Sequence, residues 1–343
     1  MTDIDRLVRE NVRRLIPYSC ARDEFKGKEG IFLDANENPY GKLNRYPDPY
    51  QKELKARISE IKAIPEENIF LGNGSDEIID LCFRIFCNPG KDRALTFHPT
   101  YGMYEVSASI NDVELIRVPL TDDFRIDMER TLPFLEDESL KLIFICSPNN
   151  PTGNSMDTEA VHAIVENFRG IVVIDEAYID FSDQPSFKTL VPVRQNLIVM
   201  QTFSKAMGLA AARVGMAFAQ TGIIEYFNKM KPPYNISDIN QKAAIRSLRD
   251  VDAAKRRIAR IVAERKRLEK TLAMTGFVEK VFPSDSNFIL VKVRDADLVY
   301  SRLLESGIIV RNRNKIVDGC IRITTGTPTE NNRLISALKK INS

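Results

Sequence analysis

Lys205 is the residue of this sequence that is best placed for covalent chemistry. It follows the apolar run 196–201, and no other charged side chain occurs before Arg213. In α/β sheets, ligands bind where the strands end at their carboxyl termini. A lysine there, with the Ser204 hydroxyl and the Arg213 guanidinium close in sequence, suits an amine that reacts with a carbonyl group beside a phosphate. A solvated lysine is the ordinary alternative.

Two other segments also carry polar groups directly after apolar runs. Asp175 follows the run Ile171–Ile174, and Tyr178 comes three residues later. The carboxylate either serves a ligand or caps the turn that follows, and this segment alone leaves both open. Asn150 lies in Cys146–Gly153, which by itself is an ordinary turn sequence.

A fourth segment has the features of an anion-binding turn. Gly72 and Gly74 precede Ser75 and Asp76 where an apolar run passes into a helical pattern. The free amide groups and the dipole at a helix start attract an anion such as phosphate. The same residues are equally typical of a routine helix N-cap.

These segments belong to a chain in which short apolar runs alternate with helical patterns. Continuous Val, Ile and Leu runs between helices are typical of a mostly parallel sheet that is buried on both faces. The runs that we predict as strands are 68–71, 93–97, 113–118, 141–146, 171–174 and 196–201. The sequence therefore predicts the α/β class, with the polar groups above at one edge of the sheet.

The remaining sequence predicts an amino-terminal arm and a smaller carboxyl-terminal domain. The pattern from Asp238 to about Thr275 predicts a long amphipathic helix that bridges two domains. After it we predict strands over 287–293, 308–310 and 320–324, and helices over 296–306 and 329–341. The expected divisions are an arm over 1–30, a large domain over 31–240 and a small α+β domain over 241–343.

Composition argues against several classes of protein. Lys plus Arg number 49 and Asp plus Glu number 47, so no basic excess favours a nucleic acid or a membrane surface. The amino terminus lacks the pattern of a signal peptide, and we expect a cytoplasmic protein. Five scattered cysteines and two histidines do not predict a metal site, and Cys82 and Cys87 are expected to be small core residues.

Taken together, the motifs resemble a known superfamily. Gly74-Ser75-Asp76, Asn150-Pro151-Thr152-Gly153, Asp175-x-x-Tyr178, Ser204-Lys205 and Arg213 follow one another in the order seen in fold type I pyridoxal-phosphate enzymes, the aspartate aminotransferase superfamily. Over essentially the whole chain, the sequence is similar to the histidinol-phosphate aminotransferase family; the segments that carry this are Leu33–Gly41, Arg45–Asp48, Pro99–Tyr104 and Cys320–Thr324. The resemblance implies a large domain with a seven-stranded, mostly parallel sheet between helices.

The resemblance also implies a cofactor, pyridoxal 5'-phosphate, and catalytic roles for three residues. Lys205 would form a Schiff base with the cofactor and then move the proton of the substrate carbon. Asp175 would keep the pyridine nitrogen protonated so that the ring accepts electrons, and Tyr178 would donate to the phenolate oxygen. The other implied cofactor contacts are Ser75, Asp76, Tyr101, Asn150, Ser204, Arg213 and, from the neighbouring subunit of a homodimer, Tyr46.

The implied reaction belongs to histidine biosynthesis. L-Histidinol phosphate and 2-oxoglutarate would give imidazole acetol phosphate and L-glutamate. The implied substrate-binding residues are Tyr18, Asn36, Tyr46, Arg311 and Arg322. Arg311 and Arg322 would hold the phosphate, Arg322 would also hold the glutamate carboxylate, and Tyr18 would close over the site. Surface charge is the ordinary alternative for the two arginines.

Three other functions fit nearly the same residues. A threonine-phosphate decarboxylase and an aromatic or broad-specificity aminotransferase would share the cofactor set. A non-catalytic protein that binds pyridoxal phosphate is a third alternative, but such a protein would need neither Lys205 nor the substrate arginines. The joint presence of Leu33–Gly41, Tyr18, Arg311 and Arg322 favours the histidinol-phosphate enzyme.

Overall fold

The computed structural model describes residues 4–18 and 30–341, so Cys20 lies outside the described residues. The helices are α1 (Ile4–Leu7), α2 (Glu10–Arg14), α3 (Lys52–Lys62), α4 (Ser75–Phe86), α5 (Met103–Ile110), α6 (Met128–Leu135), α7 (Thr158–Asn167), α8 (Thr221–Met230), α9 (Asp238–Ser247), α10 (Val251–Ala273), α11 (Ala296–Glu305) and α12 (Pro328–Ile341). The strands are β1 (Ile69–Asn73), β2 (Arg93–His98), β3 (Glu114–Pro119), β4 (Leu140–Cys146), β5 (Ile171–Asp175), β6 (Leu197–Thr202), β7 (Val214–Ala219), β8 (Val278–Val281), β9 (Phe288–Val293), β10 (Arg311–Asn312) and β11 (Cys320–Thr324). Short 3-10 turns lie at Glu66–Asn68, Ile179–Phe181, Phe187–Leu190 and Ala210–Ala212.

The first seven strands form one sheet in the order β1-β7-β6-β5-β4-β2-β3. All neighbouring pairs from β6 to β3 are parallel. Every residue of β5 and β6 is buried, because helices cover both faces of the sheet, and Cys82 and Cys87 are buried among them. The predicted α/β class and the mostly parallel seven-stranded sheet are confirmed, and the six predicted strands lie within one or two residues of the observed ones.

The seventh strand, β7, was not predicted from the apolar runs. It is antiparallel to both of its neighbours, with Val214 opposite Asn73 of β1 and Gly215 opposite Thr202 of β6. Its sequence, Val-Gly-Met-Ala-Phe-Ala, contains glycine and alanine, which weaken the signal for a strand. Because β7 runs in the opposite direction, its first residues lie at the edge where the parallel strands end.

The second sheet has four antiparallel strands in the order β10-β11-β9-β8. Helices α10, α11 and α12 pack on one of its faces, where Leu268, Leu303 and Leu338 are buried. The predicted strand at 308–310 was wrong: the Ile308 amide donates to Leu303 O and closes helix α11, so pairing begins only at Arg311. Strand β8 was not predicted.

The predicted long helix is two helices, α9 and α10, separated by residues 248–250. The Asp250 side chain accepts a hydrogen bond from the Ala253 amide at 2.8 Å and caps the start of α10. Asp127, Asp157 and Asp295 cap α6, α7 and α11 in the same way. Aspartate side chains thus cap four of the described helices.

The amino-terminal segment is partly attached to the large sheet's helical layer. Val8 and Val12 are buried in the core, and the Arg9 amide donates to Ile85 O at 2.9 Å. Beyond them the chain is exposed, with Ile16 at 89%. Among the residues that the structure describes, no helix has both the length and the apolar character needed to cross a membrane.

Candidate active site

The predicted reactive residues meet at the carboxyl edge of the large sheet. Asp175 ends β5, and Lys205 lies three residues after the end of β6. Ser75 begins the helix that follows β1. Arg213 immediately precedes β7, and it reaches the same edge because β7 is antiparallel to β1 and β6. The sheet order therefore brings together residues that are up to 138 positions apart.

An anion-binding turn lies between β1 and β7. Helix α4 begins after Gly74, and no side chain caps it, in contrast to the aspartate caps elsewhere. The Gly74 amide donates to Arg213 O at 2.8 Å, and the Arg213 guanidinium pairs with Asp76 at 2.9 Å. Gly74 has φ +76°, and a Cβ on Gly215 would lie 2.5 Å from the Ser75 nitrogen. The backbones pack too closely for side chains, and the amides at the start of α4 stay available for an anion.

Asp175 is the buried carboxylate of the site, and it is only 3% exposed. The Tyr104 hydroxyl donates to its Oδ2 at 2.8 Å, and the Ala177 amide donates to its Oδ1 at 3.1 Å. Burial raises the pKa of Asp175 from 3.8 to about 6, although the two hydrogen bonds oppose this shift. Within the described part of the chain Asp175 forms no ion pair, and a buried carboxylate with a raised pKa is suited to hold a positively charged ring nitrogen.

Sequence reasoning missed Tyr104. Its side chain is fully buried, stacks on Phe144 at 4.9 Å and meets the Tyr101 ring edge-on at 5.7 Å. The available signal was its position three residues after Tyr101, near the start of helix α5, which puts both rings on one side of the chain. Tyr104 thus connects the aromatic face of the site to its buried carboxylate.

Tyr101 lies above the anion-binding turn. Its hydroxyl donates to Asp76 Oδ1 at 3.1 Å, while Asp76 Oδ2 accepts from Arg213. Burial, followed by the charge of Asp76, raises the pKa of Tyr101. The phenol therefore stays protonated at neutral pH, and its ring is fixed at the edge of the sheet.

The amine of Lys205 is accessible from solvent and lies 5.8 Å from the centre of the Tyr178 ring. Protein groups nevertheless surround part of its side chain. Partial desolvation lowers the pKa of Lys205, and the charge of Arg322 lowers it further. A lower pKa increases the fraction of neutral amine, which is the nucleophilic form.

Asn150 and Arg322 join the two sheets beside Lys205. Asn150 Nδ2 donates to the Tyr178 hydroxyl at 3.4 Å, and Arg322 Nη1 donates to Asn150 Oδ1. The Arg322 guanidinium also lies over the Phe288 ring, 5.0 Å from its centre. Burial raises the pKa of Tyr178. Ser204, whose amide donates to Thr202 Oγ1 at 3.1 Å, lies next to Lys205 on the loop after β6.

The other predicted substrate residues do not all lie beside Lys205 as Arg322 does. Arg311 lies directly opposite Arg322 in the β10–β11 ladder. Tyr18 is 73% exposed, on the segment that follows α2. Asn36 and Tyr46 line a separate cavity of about 690 Å³ with residues at the start of α9, and the Tyr46 ring stacks on Tyr234 at 4.4 Å. Within one chain, these three residues are not brought to Lys205 by any described contact.

These groups fit pyridoxal phosphate. The uncapped start of α4 beside Arg213 suits a phosphate, and Asp175 suits a protonated pyridine nitrogen. Tyr101 offers an aromatic face, and Lys205 offers an amine for the aldehyde. The residues lie at one edge of the sheet in an arrangement that can serve reactions at the amino group of a substrate.

Curated relatives match the whole chain. A protein named histidinol-phosphate aminotransferase from Parabacteroides distasonis is 51% identical over 344 residues, covering 99% of each chain. A protein of the same name from Cytophaga hutchinsonii is 50% identical and covers 98% of each.

Solved structures show the same relationship. The crystal structure of the histidinol-phosphate aminotransferase from Clostridium acetobutylicum superposes with a TM-score of 0.81 at 26% identity, covering 88% of this chain and 91% of that one. The Sinorhizobium meliloti enzyme in complex with pyridoxal-5'-phosphate gives 0.80 at 27% identity, covering 90% and 89%. The family model described as aminotransferase class I and II matches residues 28–338. The chain therefore belongs to the class I and II aminotransferases and, within them, to the histidinol-phosphate aminotransferase family.

Proposed function

We propose that the protein transfers the amino group of L-histidinol phosphate to 2-oxoglutarate, giving imidazole acetol phosphate and L-glutamate, with pyridoxal 5'-phosphate as cofactor. The observation that carries the proposal is that a residue of the small sheet meets the candidate cofactor-binding residues of the large sheet. Lys205, Asp175 and the anion-binding turn belong to the large sheet, while Arg322 reaches them from the small one. About 50% identity to named relatives supports the substrate assignment.

The cofactor supplies an aldehyde and a ring that accepts electrons. The chain's own contribution begins with phosphate binding. The amides of Ser75 and Asp76 point outward from the start of α4, and Arg213 adds a positive charge beside them. The Ser204 hydroxyl completes the set from the loop after β6. Together they anchor one end of the cofactor and fix the distance to Lys205.

Asp175 holds the other end. Without a cation, its buried charge is unfavourable, which is why its pKa is raised to about 6. A protonated ring nitrogen removes that penalty, so Asp175 and the bound ring each stabilise the charge of the other. Tyr104 and the Ala177 amide fix the direction of the carboxylate.

Lys205 Nζ would hold the cofactor aldehyde and would remove and return the proton at the substrate carbon that bears the amino group. Its lowered pKa leaves more of the neutral base at physiological pH. Tyr178 and Asn150, joined by a hydrogen bond, would donate to the oxygen on the cofactor ring. Tyr101 would offer its aromatic face to that ring.

Arg322 and Arg311 bind the phosphate of the phosphorylated substrate, and Arg322 also binds the carboxylate of glutamate. Planar guanidinium forks match carboxylate and phosphate oxygens. Arg322 is held by Asn150 and by the face of Phe288, so its orientation is set before substrate arrives. Arg322 in that position can bind glutamate and the phosphorylated substrate in turn. Such double use is required because the two substrates occupy one site alternately.

We further propose a cytoplasmic homodimer, in which Tyr46 reaches the cofactor phosphate of the partner subunit and Tyr18 and Asn36 complete the substrate pocket. Large apolar side chains crowd the surface of the segment before α3: Ile31 is 91% exposed, Leu33 88% and Tyr40 84%. A patch of this kind is typical of an interface. The dimer explains why Asn36 and Tyr46 do not meet Lys205 within one chain. The division into an arm and two domains at residues 30 and 240 stays part of this proposal.

The test is a half-reaction on the purified holoenzyme. L-Histidinol phosphate is added without an oxo acid, while the cofactor absorbance and the released product are followed. Conversion of the cofactor to its amine form with imidazole acetol phosphate as product supports the proposal. Release of carbon dioxide from threonine phosphate, with histidinol phosphate inert, would reassign the protein to the decarboxylases. Turnover of aromatic amino acids alone would indicate a different aminotransferase.

A further inference from the structure

A third arginine lies on the same face of the small sheet as the two predicted ones. Arg311 is directly opposite Arg322. The ladder continues for one more residue, because the Arg313 amide donates to Cys320 O at 2.9 Å. Residues two apart on a strand share a face, and so do residues directly opposite each other. Arg311, Arg313 and Arg322 therefore project from one face.

That face looks towards the active site. The opposite face carries Ile321 and Ile323, which are buried under helices α10 to α12. On the arginine face, Arg322 reaches Asn150 of the large sheet. The positive charges of Arg322 and Arg313 both oppose the burial-driven rise in the pKa of Tyr178, so the Arg313 guanidinium lies near the same phenol as Arg322.

The three guanidinium groups lack a counter-anion within the described chain. Among residues 4–18 and 30–341, no carboxylate forms an ion pair with any of them. The Nε atoms of Arg313 and Arg322 are buried without a hydrogen-bond partner there. Burial, followed by the charges of Arg322 and Arg311, lowers the pKa of Arg313 to about 10. The cluster is thus built around positive charge that a ligand must balance.

We propose that Arg313 binds the phosphate of the phosphorylated substrate and leaves the dicarboxylate substrate largely unaffected, an inference that rests on the proposed function. A phosphate monoester carries up to two negative charges near neutral pH and three terminal oxygens, whereas a carboxylate carries one charge and two oxygens. Arg322, held at Asn150, is positioned for either group. Arg313, for which residues 4–18 and 30–341 provide no such partner, gives the additional donors that only the phosphate needs.

The experiment compares Arg313→Gln with wild-type holoenzyme. Dissociation constants for L-histidinol phosphate, inorganic phosphate and L-glutamate are measured by calorimetry, together with kcat/KM for both substrates. Loss of a charge-assisted hydrogen bond should weaken both phosphate ligands at least about tenfold. Glutamate binding should change by less than about threefold, the range of an exposed charge pair. Lys315→Gln, an exposed charge in the same loop, is the matched control and should change none of the three beyond that range.

Unchanged phosphate binding, or an equal loss for phosphate and glutamate ligands, would overturn the assignment. If Arg313→Gln does not fold, Arg313→Lys keeps the charge and removes the fork. It should weaken both phosphate ligands by a smaller factor and leave glutamate unchanged; an unchanged affinity for all three ligands would overturn the proposal. A wild-type enzyme that binds inorganic phosphate through Arg313 but not L-histidinol phosphate would contradict the proposed function instead.

Discussion

Tyr104→Phe should destabilise the cofactor-free protein in a manner that depends on pH. The substitution removes the 2.8 Å hydrogen bond to Asp175 and keeps the ring stacked on Phe144. A hydrogen bond to a charged group is about 1 kcal/mol stronger than one to a neutral group. Its loss should therefore raise the pKa of Asp175 by about one unit above its present value of about 6.

The sign follows from linkage. The folded protein binds the Asp175 proton more tightly than the unfolded chain, because the pKa is raised from 3.8 to about 6. The ionised carboxylate thus lowers the free energy of unfolding by about 3 kcal/mol at pH 8, and this penalty disappears as the pH falls below about 4. Tyr104→Phe should cost a further 1 to 1.5 kcal/mol, approximately, at pH 8, and almost none of this ionisation-dependent cost at pH 5.

The assay is urea unfolding of the apoprotein at pH 5 and pH 8, with wild type, Tyr104→Phe and Tyr101→Phe. Tyr101 donates to the partly exposed Asp76, so its variant should show no comparable pH difference. In an Asp175→Asn background the pH-dependent loss caused by Tyr104→Phe should vanish. An equal loss at both pH values, or the same loss in that background, would refute the reasoning.

Three further outcomes are expected. Lys205→Ala should reduce turnover by several orders of magnitude in the half-reaction, because the covalent and proton-transfer roles disappear together; substantial remaining activity would exclude that role. Arg322→Ala should weaken both L-glutamate and L-histidinol phosphate, by about 1.5 to 3 kcal/mol for each lost charge-assisted hydrogen bond, as measured by calorimetry; weakening of one ligand alone would contradict a shared site. Gly215→Ala should reduce the affinity for pyridoxal phosphate in a fluorescence titration, because the new Cβ would lie 2.5 Å from the Ser75 nitrogen and would displace that amide. Gly222→Ala is the control and should leave the affinity unchanged, because the space around Gly222 is open.

The apolar runs of the sequence predict the strands of the large sheet well. Strands β5 and β6 are buried on both faces and are rich in Val, Ile and Leu, whereas β7 is equally buried but was missed because it contains glycine and alanine. Shorter or exposed strands carry no such signal. Strand β10 has two residues, and β8 is partly exposed, so both depend on neighbours that the local sequence does not specify.

The sequence by itself determined the kind of chemistry. The order of Gly74-Ser75-Asp76, Asp175, Lys205 and Arg213 resembles that of pyridoxal-phosphate enzymes and thereby indicated the cofactor, whereas each segment alone left an ordinary structural role open. Their roles and the substrate assignments remain predictions for the experiments above.

Only the tertiary structure decided how these groups are supported. Tyr104 joins Asp175 across 71 residues, and Arg322 joins Asn150 across 172. Arg313 gains its place from a strand register that no local pattern encodes. The physical reason is that burial, strand direction and strand pairing are properties of packed elements. They set the pKa of a carboxylate and the direction of a guanidinium, and the neighbouring sequence does not encode them.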